Sequence, residues 1–552
     1  MNRTASVATL ALVGLTLLGL TMANKPASPE AATAGRLTPG IAAHPFEHSV
    51  AATTAAARPN SPEGALRPAR DGADTQIDSS FSERELLEFQ AEALLLPPSP
   101  GISRPGNEGG GVITLGTNFD SIDITECCDS GTLNPPDPEL AVGPDHIIAV
   151  VNASLEIYDK AGTTLVGPLP FETFFASIPG GCTVFPFDPN VLYDESADRF
   201  IIAADGNLAR YCVGVSQTGD PTGAYFFYDF PTNVGADFDY PHAGVGVDAI
   251  YVGANMFGGN VTGRVFAFEK SAMYAGTPAA SATQTLGSSG TPQPMNIKGL
   301  FPTSGPHYIL TSRGGTSNPE LFGLFSWDDP FGADTLIDLT TFNLETEHGV
   351  TVGFPVSNPQ MGGSNITSFN PRPLDFEYRN GSGWFTNFVS CNPGGGTINC
   401  IQWAQVDVAT ASITDSGVFA DDSFYRFMPD LAVNRCEDMV VGYSRSSSTS
   451  FAGIHAAGRE AGDPAGTLRG ELEIKAGEIV FGGTSRWGDY TGMTIDPDGS
   501  TFWYLGEYSK DNGAGSNWGT YIGAVAFDNC PPAIFADGFE SGDTSAWTTT
   551  VP

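Results

Sequence analysis

Three segments of this chain repeat at a fixed interval. PPDPELAVGPDHIIAVVN, PFDPNVLYDESADRFIIAAD and DFDYPHAGVGVDAIYVGAN align without gaps at their starts and place Asp137, Asp188 and Asp239 51 residues apart each time. A constant period of this length marks an architecture built by repeating one supersecondary unit. Weaker copies follow as NIKGLFPTSGPHYILTS, FNPRPLDFEYRNGSGWFTNF, RFMPDLAVNRCEDMVVGYS and SRWGDYTGMTIDPDGSTFWYLGEY, which makes seven units. Each reads as an acid-and-proline or acid-and-tyrosine lead-in, a short strand, a turn and a longer apolar strand. Seven units over about 420 residues give about 60 per unit, the length of a four-stranded blade with generous loops. The expected fold is all-β, a seven-bladed β-propeller.

The rest of the pattern agrees. HIIAVVN, RFIIAAD, AIYVGANMF, DMVVGYS and TYIGAVAF are short β-branched and aromatic runs separated by Gly, Pro, Asn and Asp, with no long 3.6-period helix between them. This character holds over 112–530. Residues 1–23 read as a signal peptide, with one arginine, an apolar run from Val7 to Leu20 and small residues at the end. That run lacks the length and the basic flank of a membrane span. Residues 24–111 are rich in Ala and Pro and read as a linker or propeptide, with one island. There SERELLEFQAEALLL opens on a capping-box pattern and predicts a short helix near 82–96, docked or removed on maturation. The tail 531–552 resembles the DGFESGD opening of an extracellular jelly-roll module, cut short.

Charge and cysteines limit partners and compartment. The formal net charge is -37, which repels phosphate backbones and excludes nucleic acid as a natural partner. Eight cysteines with no C-x-x-C pair suit disulfides of an exported chain better than a metal ribbon. Pairing Cys182 with Cys212, Cys391 with Cys400 and Cys436 with Cys530 is the expected pattern, the last tying the chain's end to an earlier strand. A secreted monomer is expected.

In a propeller the first strand of each blade lines a central channel, so residues leading into those strands gather at one mouth. The lead-in acids are Asp137, Asp188, Asp239, Asp430 and Asp489. Near them in sequence lie Tyr240, His242, Arg372, Arg426, Arg486, Trp487 and Tyr490. Carboxylates converging on a mouth can hold calcium or act as acid and base on a glycan. Arginines there can grip a sugar carboxylate, and Trp487 and Trp503 can stack a sugar face. Repetition argues for a second role, since an aspartate ahead of a strand also caps turns and ties blade to blade. The unrepeated Arg486, Trp487, Arg372 and Arg426 are therefore the sharper site candidates. Asp496, Asp498 and Glu507 match EF-hand positions, although Thr501 stands where that loop requires Gly, so a DPDG hairpin turn competes with calcium.

DPELAVGPDHIIAVVN, FDPNVLYDESADRFIIAA, VSQTGDPTGAYFFYDF, FMPDLAVNRCEDMVVGYSRSS and SRWGDYTGMTIDPDGSTFWYLGEY together resemble a family of large exported bacterial proteins with a propeller-type core. The likeness runs from about Pro135 to Phe527 and implies export and fold rather than a reaction. No nucleophile elbow, HExxH or phosphate-binding loop is present. The leading expectation is thus an extracellular binding or adhesion module for glycan or protein ligands, with calcium as a possible stiffener. The alternative is a glycoside hydrolase or polysaccharide lyase using Asp188, Asp239 and Asp489 with Arg486 and Arg372.

Overall fold

The computed structural model describes residues 46–49, 83–105, 113–127, 133–178, 180–258, 262–314, 318–367, 371–482, 486–515 and 517–530. The expected signal peptide, most of the linker and the 531–552 tail lie outside these residues. Seven separate sheets, antiparallel apart from one short parallel pair, form the blades of a propeller. Their first strands are Glu139–Val142, Phe187–Asp194, Asp237–Val245, Gly290–Pro294, Asp375–Arg379, Tyr425–Val433 and Gly492–Ile495, which define blades 1 to 7. Blade 7 takes its outermost strand from the front of the chain, where Ile113–Asp123 pairs antiparallel with Trp518–Phe527. The second strands read as continuous apolar runs because blades cover them on both faces; His146–Val151 is buried from Ile147 onward.

Blade 4 departs from the expected unit. Its first strand is Gly290–Pro294, while Asn296–Ile297 crosses over to pair in parallel with the first strand of blade 5. The NIKGL segment therefore follows the strand it was expected to start.

The first strands share a local distortion. A register shift falls between Phe187 and Asn190, Asp239 and His242, Gly290 and Gln293, and Phe427 and Asp430. The two residues inside each bulge are Asp188-Pro189, Tyr240-Pro241, Thr291-Pro292 and Met428-Pro429. The residue before each proline is left-handed, with φ of 48, 58, 47 and 49°, and Asp137 before Pro138 matches at 49°. Proline has no N–H for the ladder, so a bulge is where a strand accepts it. Residues two beyond Asp137, Tyr240, Thr291 and Met428 (Glu139, His242, Gln293 and Asp430) line a central cavity.

Polar side chains of this inner ring join every blade to the next. Val191 N–H donates to Glu139 at 3.1 Å and Asn190 donates to Pro241 O at 3.1 Å. Thr291 N–H donates to Asn255 Oδ1 at 2.7 Å and Gln293 to Pro373 O at 2.9 Å. Val433 N–H donates to Glu377 at 2.6 Å, Met493 N–H to Asp430 at 2.5 Å, and Asp489 N–H to Asp137 at 2.6 Å. Seven seams are thereby crossed by side-chain to backbone bonds, which satisfy buried groups that no ladder reaches.

Three disulfides, Cys182–Cys212, Cys391–Cys400 and Cys436–Cys530, follow the expected pairing. They fit an oxidising compartment. No helix among the described residues is long and apolar enough to cross a membrane. The expected helix near 82–96 is Glu83–Ala93, and it docks. Phe89 stacks on Phe354 at 5.6 Å, Thr397 donates to Ala93 O at 2.9 Å, and Ser103 N–H donates to Val418 O at 2.8 Å, so residues 83–105 form a strap over blade 5.

Candidate functional site

One mouth of the channel collects side chains from blades 1, 2, 3, 5 and 7. Asp137, Asp188, Asp239 and Asp489 are buried there together with Tyr240, His242, Arg372 and Tyr490. Asn152 donates one amide hydrogen bond to Asp137, and Asp188 N–H donates to Asn152 Oδ1 at 2.8 Å. Tyr490 donates its phenol to Asp188 at 3.2 Å, and Tyr240 donates to Asp489 O at 3.1 Å. The rings of Tyr240, His242 and Tyr490 meet with centroids 4.6 to 5.0 Å apart. Arg372 lies over the Tyr240 face at 4.7 Å, a cation–π contact. Arg486 donates to Asp489 at 2.7 Å and keeps 19% of its side chain exposed, more than the other charged groups of the mouth.

Burial dominates the electrostatics. It pushes the Tyr490 phenol well above its ordinary value, and the charge of Asp188 adds to that. It pushes the His242 imidazole down to about 3, helped by the positive charge of Arg372, so His242 is neutral. His242 Nε2 has no hydrogen-bond partner among the described residues.

Glu507 belongs to this mouth as well. It accepts Gly488 N–H at 2.7 Å through Oε2, while Oε1 has no partner among the described residues. Burial pushes its carboxyl well above the usual range, and the neighbouring Asp489 adds to the shift. This placement separates Glu507 from Asp496 and Asp498, with which it was expected to share an EF-hand-like loop. Asp496 and Asp498 form the DPDG turn, where Gly499 N–H returns to Asp496 O at 2.8 Å. Glu507 lies near the far end of the strand Thr501–Ser509, roughly 20 Å on from the turn at about 3.3 Å per residue. Asp496 is instead held by Lys160 at 2.5 Å and Trp503 Nε1 at 3.0 Å.

Other expected ligand contacts fall away on burial. Trp487 is 1% exposed, donates to Ser444 at 3.0 Å and packs edge-on against Phe427 and Phe481, so it offers no face to a sugar. Trp503 is enclosed between blades 7 and 1. Arg426 lies inside blade 6, donating to Glu471 at 2.9 Å and Asp421 at 3.0 Å and stacking over Phe419 and Tyr443. Asp430 is two positions along from the expected place, because Met428 occupies the left-handed slot that Asp137 and Asp188 fill elsewhere. Its carboxyl points to the waist of the channel rather than the mouth.

That waist was not read from the sequence. A cavity of ≈ 50 Å³ there is lined by Glu139, Asp375 and Asp430 among others. The signal was present in the polar residue after each lead-in proline, but it varies between Glu, Asn, His, Gln and Asp and so does not stand out as a repeat. A larger cavity of ≈ 480 Å³ sits at the rim beneath the strap, where Arg104 pairs with Asp422 at 2.9 Å, Arg469 with Asp463 at 2.6 Å, and Asp415 with Arg459.

No family model matches the chain, and no curated protein matches it. Solved structures do resemble it. A polysaccharide lyase, Uly1, has 10% identity over 79% of this chain and 95% of its own, with a TM-score of 0.40. The α-L-arabinofuranosidase Arb93A from Fusarium graminearum has 9% identity over 60% and 91%, with a TM-score of 0.34. An α-L-arabinanase from Penicillium chrysogenum has 10% identity over 74% and 98%, with a TM-score of 0.32. Likeness at this level assigns no residue role and no chemistry to this chain.

Proposed function

We propose that this chain is an extracellular glycan-active enzyme that cleaves a glycosidic bond at the aspartate-rich mouth of the channel. The observation that carries the reading is the pairing of Glu507 with Asp489. Glu507 is enclosed, so burial favours its neutral form, and it has one oxygen without a partner among the described residues. Asp489 stands beside it and is ion-paired with Arg486 at 2.7 Å. Two neighbouring carboxyls in contrasting surroundings are the arrangement that lets one act as acid while the other stays charged.

In this reading Glu507 protonates the departing glycosidic oxygen, and Asp489 supports the positive charge that develops on the sugar or activates water. Arg372 and Arg486 supply positive charge for a carboxylate-bearing sugar. The neutral His242, with its open Nε2, can bond a sugar hydroxyl.

The second reading is a non-catalytic glycan-binding or adhesion module. It is favoured by the burial of the four mouth aspartates, 1 to 5% exposed, and by the bonds through which Asp137 and Asp188 support neighbouring backbone. An assay of reducing ends on a polysaccharide panel separates the two. The enzyme reading expects turnover that falls by about 10² to 10⁴ in Glu507→Gln and in Asp489→Asn, with the thermal midpoint of Glu507→Gln unchanged because the amide copies a neutral carboxyl. Glycan binding without product from the wild-type chain would leave the module reading in its place.

A further inference from the structure

Below the mouth, the channel waist holds more acid than its neighbours can neutralise. Glu139 of blade 1, Asp375 of blade 5 and Asp430 of blade 6 line the ≈ 50 Å³ cavity with Lys298. Glu377, two residues along from Asp375, is 1% exposed. The cations sharing this space are Lys298 and Arg379, both buried. Four carboxyls beside two cations leave two negative charges, and the ≈ 50 Å³ cavity has room for only a few waters. An uncompensated charge with so little solvent is strongly unfavourable, so the ring retains protons in place of counter-ions. Three of these carboxyls also bind the next blade: Glu139 holds Val191 N–H, Glu377 holds Val433 N–H, and Asp430 holds Met493 N–H.

We propose that the channel waist is a proton-operated clamp, in which Glu139, Asp375, Glu377 and Asp430 share retained protons while the ring is closed, and loss of those protons loosens the seams to blades 2, 6 and 7.

The surroundings agree with this arrangement. Burial pushes Glu139 up to about 8, with the charges of Asp375 and Asp188 adding to it. Burial takes Asp375 to about 7 against the pull of Phe376 N–H and Lys298, and takes Glu377 to about 8 against Lys298 and Arg379. Asp430 is driven well above the carboxylate range by burial first and then by Asp375 and Glu139. Besides Asp188 of blade 2, whose charge reaches Glu139, and the two cations above, the other titratable groups facing this cavity among the described residues stay neutral. Blade 3 presents His242, held neutral, blade 4 presents Gln293, and Asn296 comes from the short strand joined to blade 5. Blade 2 presents Tyr193, and blade 7 presents Thr491 and Thr494, with Tyr504 behind them hydrogen-bonded to Thr491 at 2.9 Å. Tyr193 and Tyr504 are themselves pushed upward by burial and stay neutral.

Carboxyls raised in the folded chain bind protons more tightly there than in the unfolded chain. Their stabilising contribution is therefore complete below the ordinary carboxylate range and is lost as pH climbs through about 7 to 8. The test follows the thermal midpoint of the full chain between pH 5 and pH 9, limits chosen on the order of two units either side of neutral. The wild type is expected to lose roughly 5 °C or more from the acidic to the alkaline end. Combining Glu139→Gln with Glu377→Gln should remove about half of that loss, since each amide stays neutral throughout. Glu507→Gln, which alters the mouth, should leave most of it. A flat wild-type profile, or an unchanged slope in the double variant, overturns the clamp. Infrared difference spectra of the wild-type chain in D₂O give an answer that no variant's folding can obscure. A protonated-carboxyl band present at mildly acidic pH and lost at alkaline pH supports the proposal, and its absence at mildly acidic pH overturns it.

Discussion

The same chemical group behaves in opposite ways in two parts of this molecule. At the periphery of blade 6, Glu471 sits between Arg426 and Arg445 at 2.9 and 2.5 Å and accepts the Tyr443 hydroxyl at 2.7 Å. Burial alone would raise its carboxyl, but the two guanidinium groups outweigh it and hold it at about 2. On the axis, Glu139 and Glu377 are as enclosed and end near 8. Glu139 accepts neutral N–H groups, and the cations beside Glu377 are shared with other acids. Concealment from water is common to both places. The number of cations each acid has to itself decides whether it keeps a proton.

Breaking the peripheral network should have the largest effect on stability. Glu471→Gln leaves Arg426 buried with only Asp421 as a charged partner, and is expected to cost about 3–5 kcal/mol in chemical unfolding at neutral pH. Because the folded value of Glu471 lies below the unfolded one, its contribution is present above the ordinary carboxylate range and fades as pH falls through about 2. The wild-type and Glu471→Gln unfolding curves should therefore converge in strong acid, the reverse of the behaviour expected on the axis. Replacing Cys436 and Cys530 by serine should cost about 2–5 kcal/mol, measured the same way without reductant. Glu377→Gln should shift the midpoint at mildly acidic pH by less than about 1 kcal/mol equivalent, because it replaces one neutral acceptor for Val433 N–H with another. A cost of several kcal/mol there would mean that the axial acid is charged after all, and the contrast with Glu471 would collapse. The smallest effect is expected from chelation. Among the described residues, the one trio of metal-capable side chains within reach of a common ion is Cys436, Asp438 and Cys530, two of which are joined in a disulfide. EDTA should leave the thermal midpoint unchanged.

The ring was legible because its period is written in aspartates. The 51-residue interval located blades 1 to 3, and the DPDG hairpin located blade 7. The interval also misled at two points. Hydrogen-bond register sets Tyr240, not Asp239, in the slot of Asp188, so the equal spacing conceals a one-residue slip. In blades 4 and 6 the slot holds Thr291 and Met428, which no search for acids would find. What recurs physically is a left-handed residue followed by proline, a backbone property that different side chains can satisfy. The site was legible only as a neighbourhood. Asp137, Asp188, Asp239, Asp489, Tyr240, Tyr490, His242, Arg372 and Arg486 do meet, but Trp487 and Trp503 read as sugar platforms are core residues. A sequence shows that an aromatic side chain is present and not which way the strand turns it. Glu507 was noticed for its spacing from Asp496, whereas its importance comes from the strand that carries it across the blade to Gly488.

The strand Ile113–Asp123 is synthesised before every strand of its own blade and finds its partner, Trp518–Phe527, some 400 residues later in the chain. A circle fastened in this way gives no early reward, since six finished blades still present an open edge and a gap. Folding is expected to be slow and strongly all-or-none, and a chain clipped just before Trp518 should accumulate as an open, aggregation-prone arc rather than as a smaller propeller.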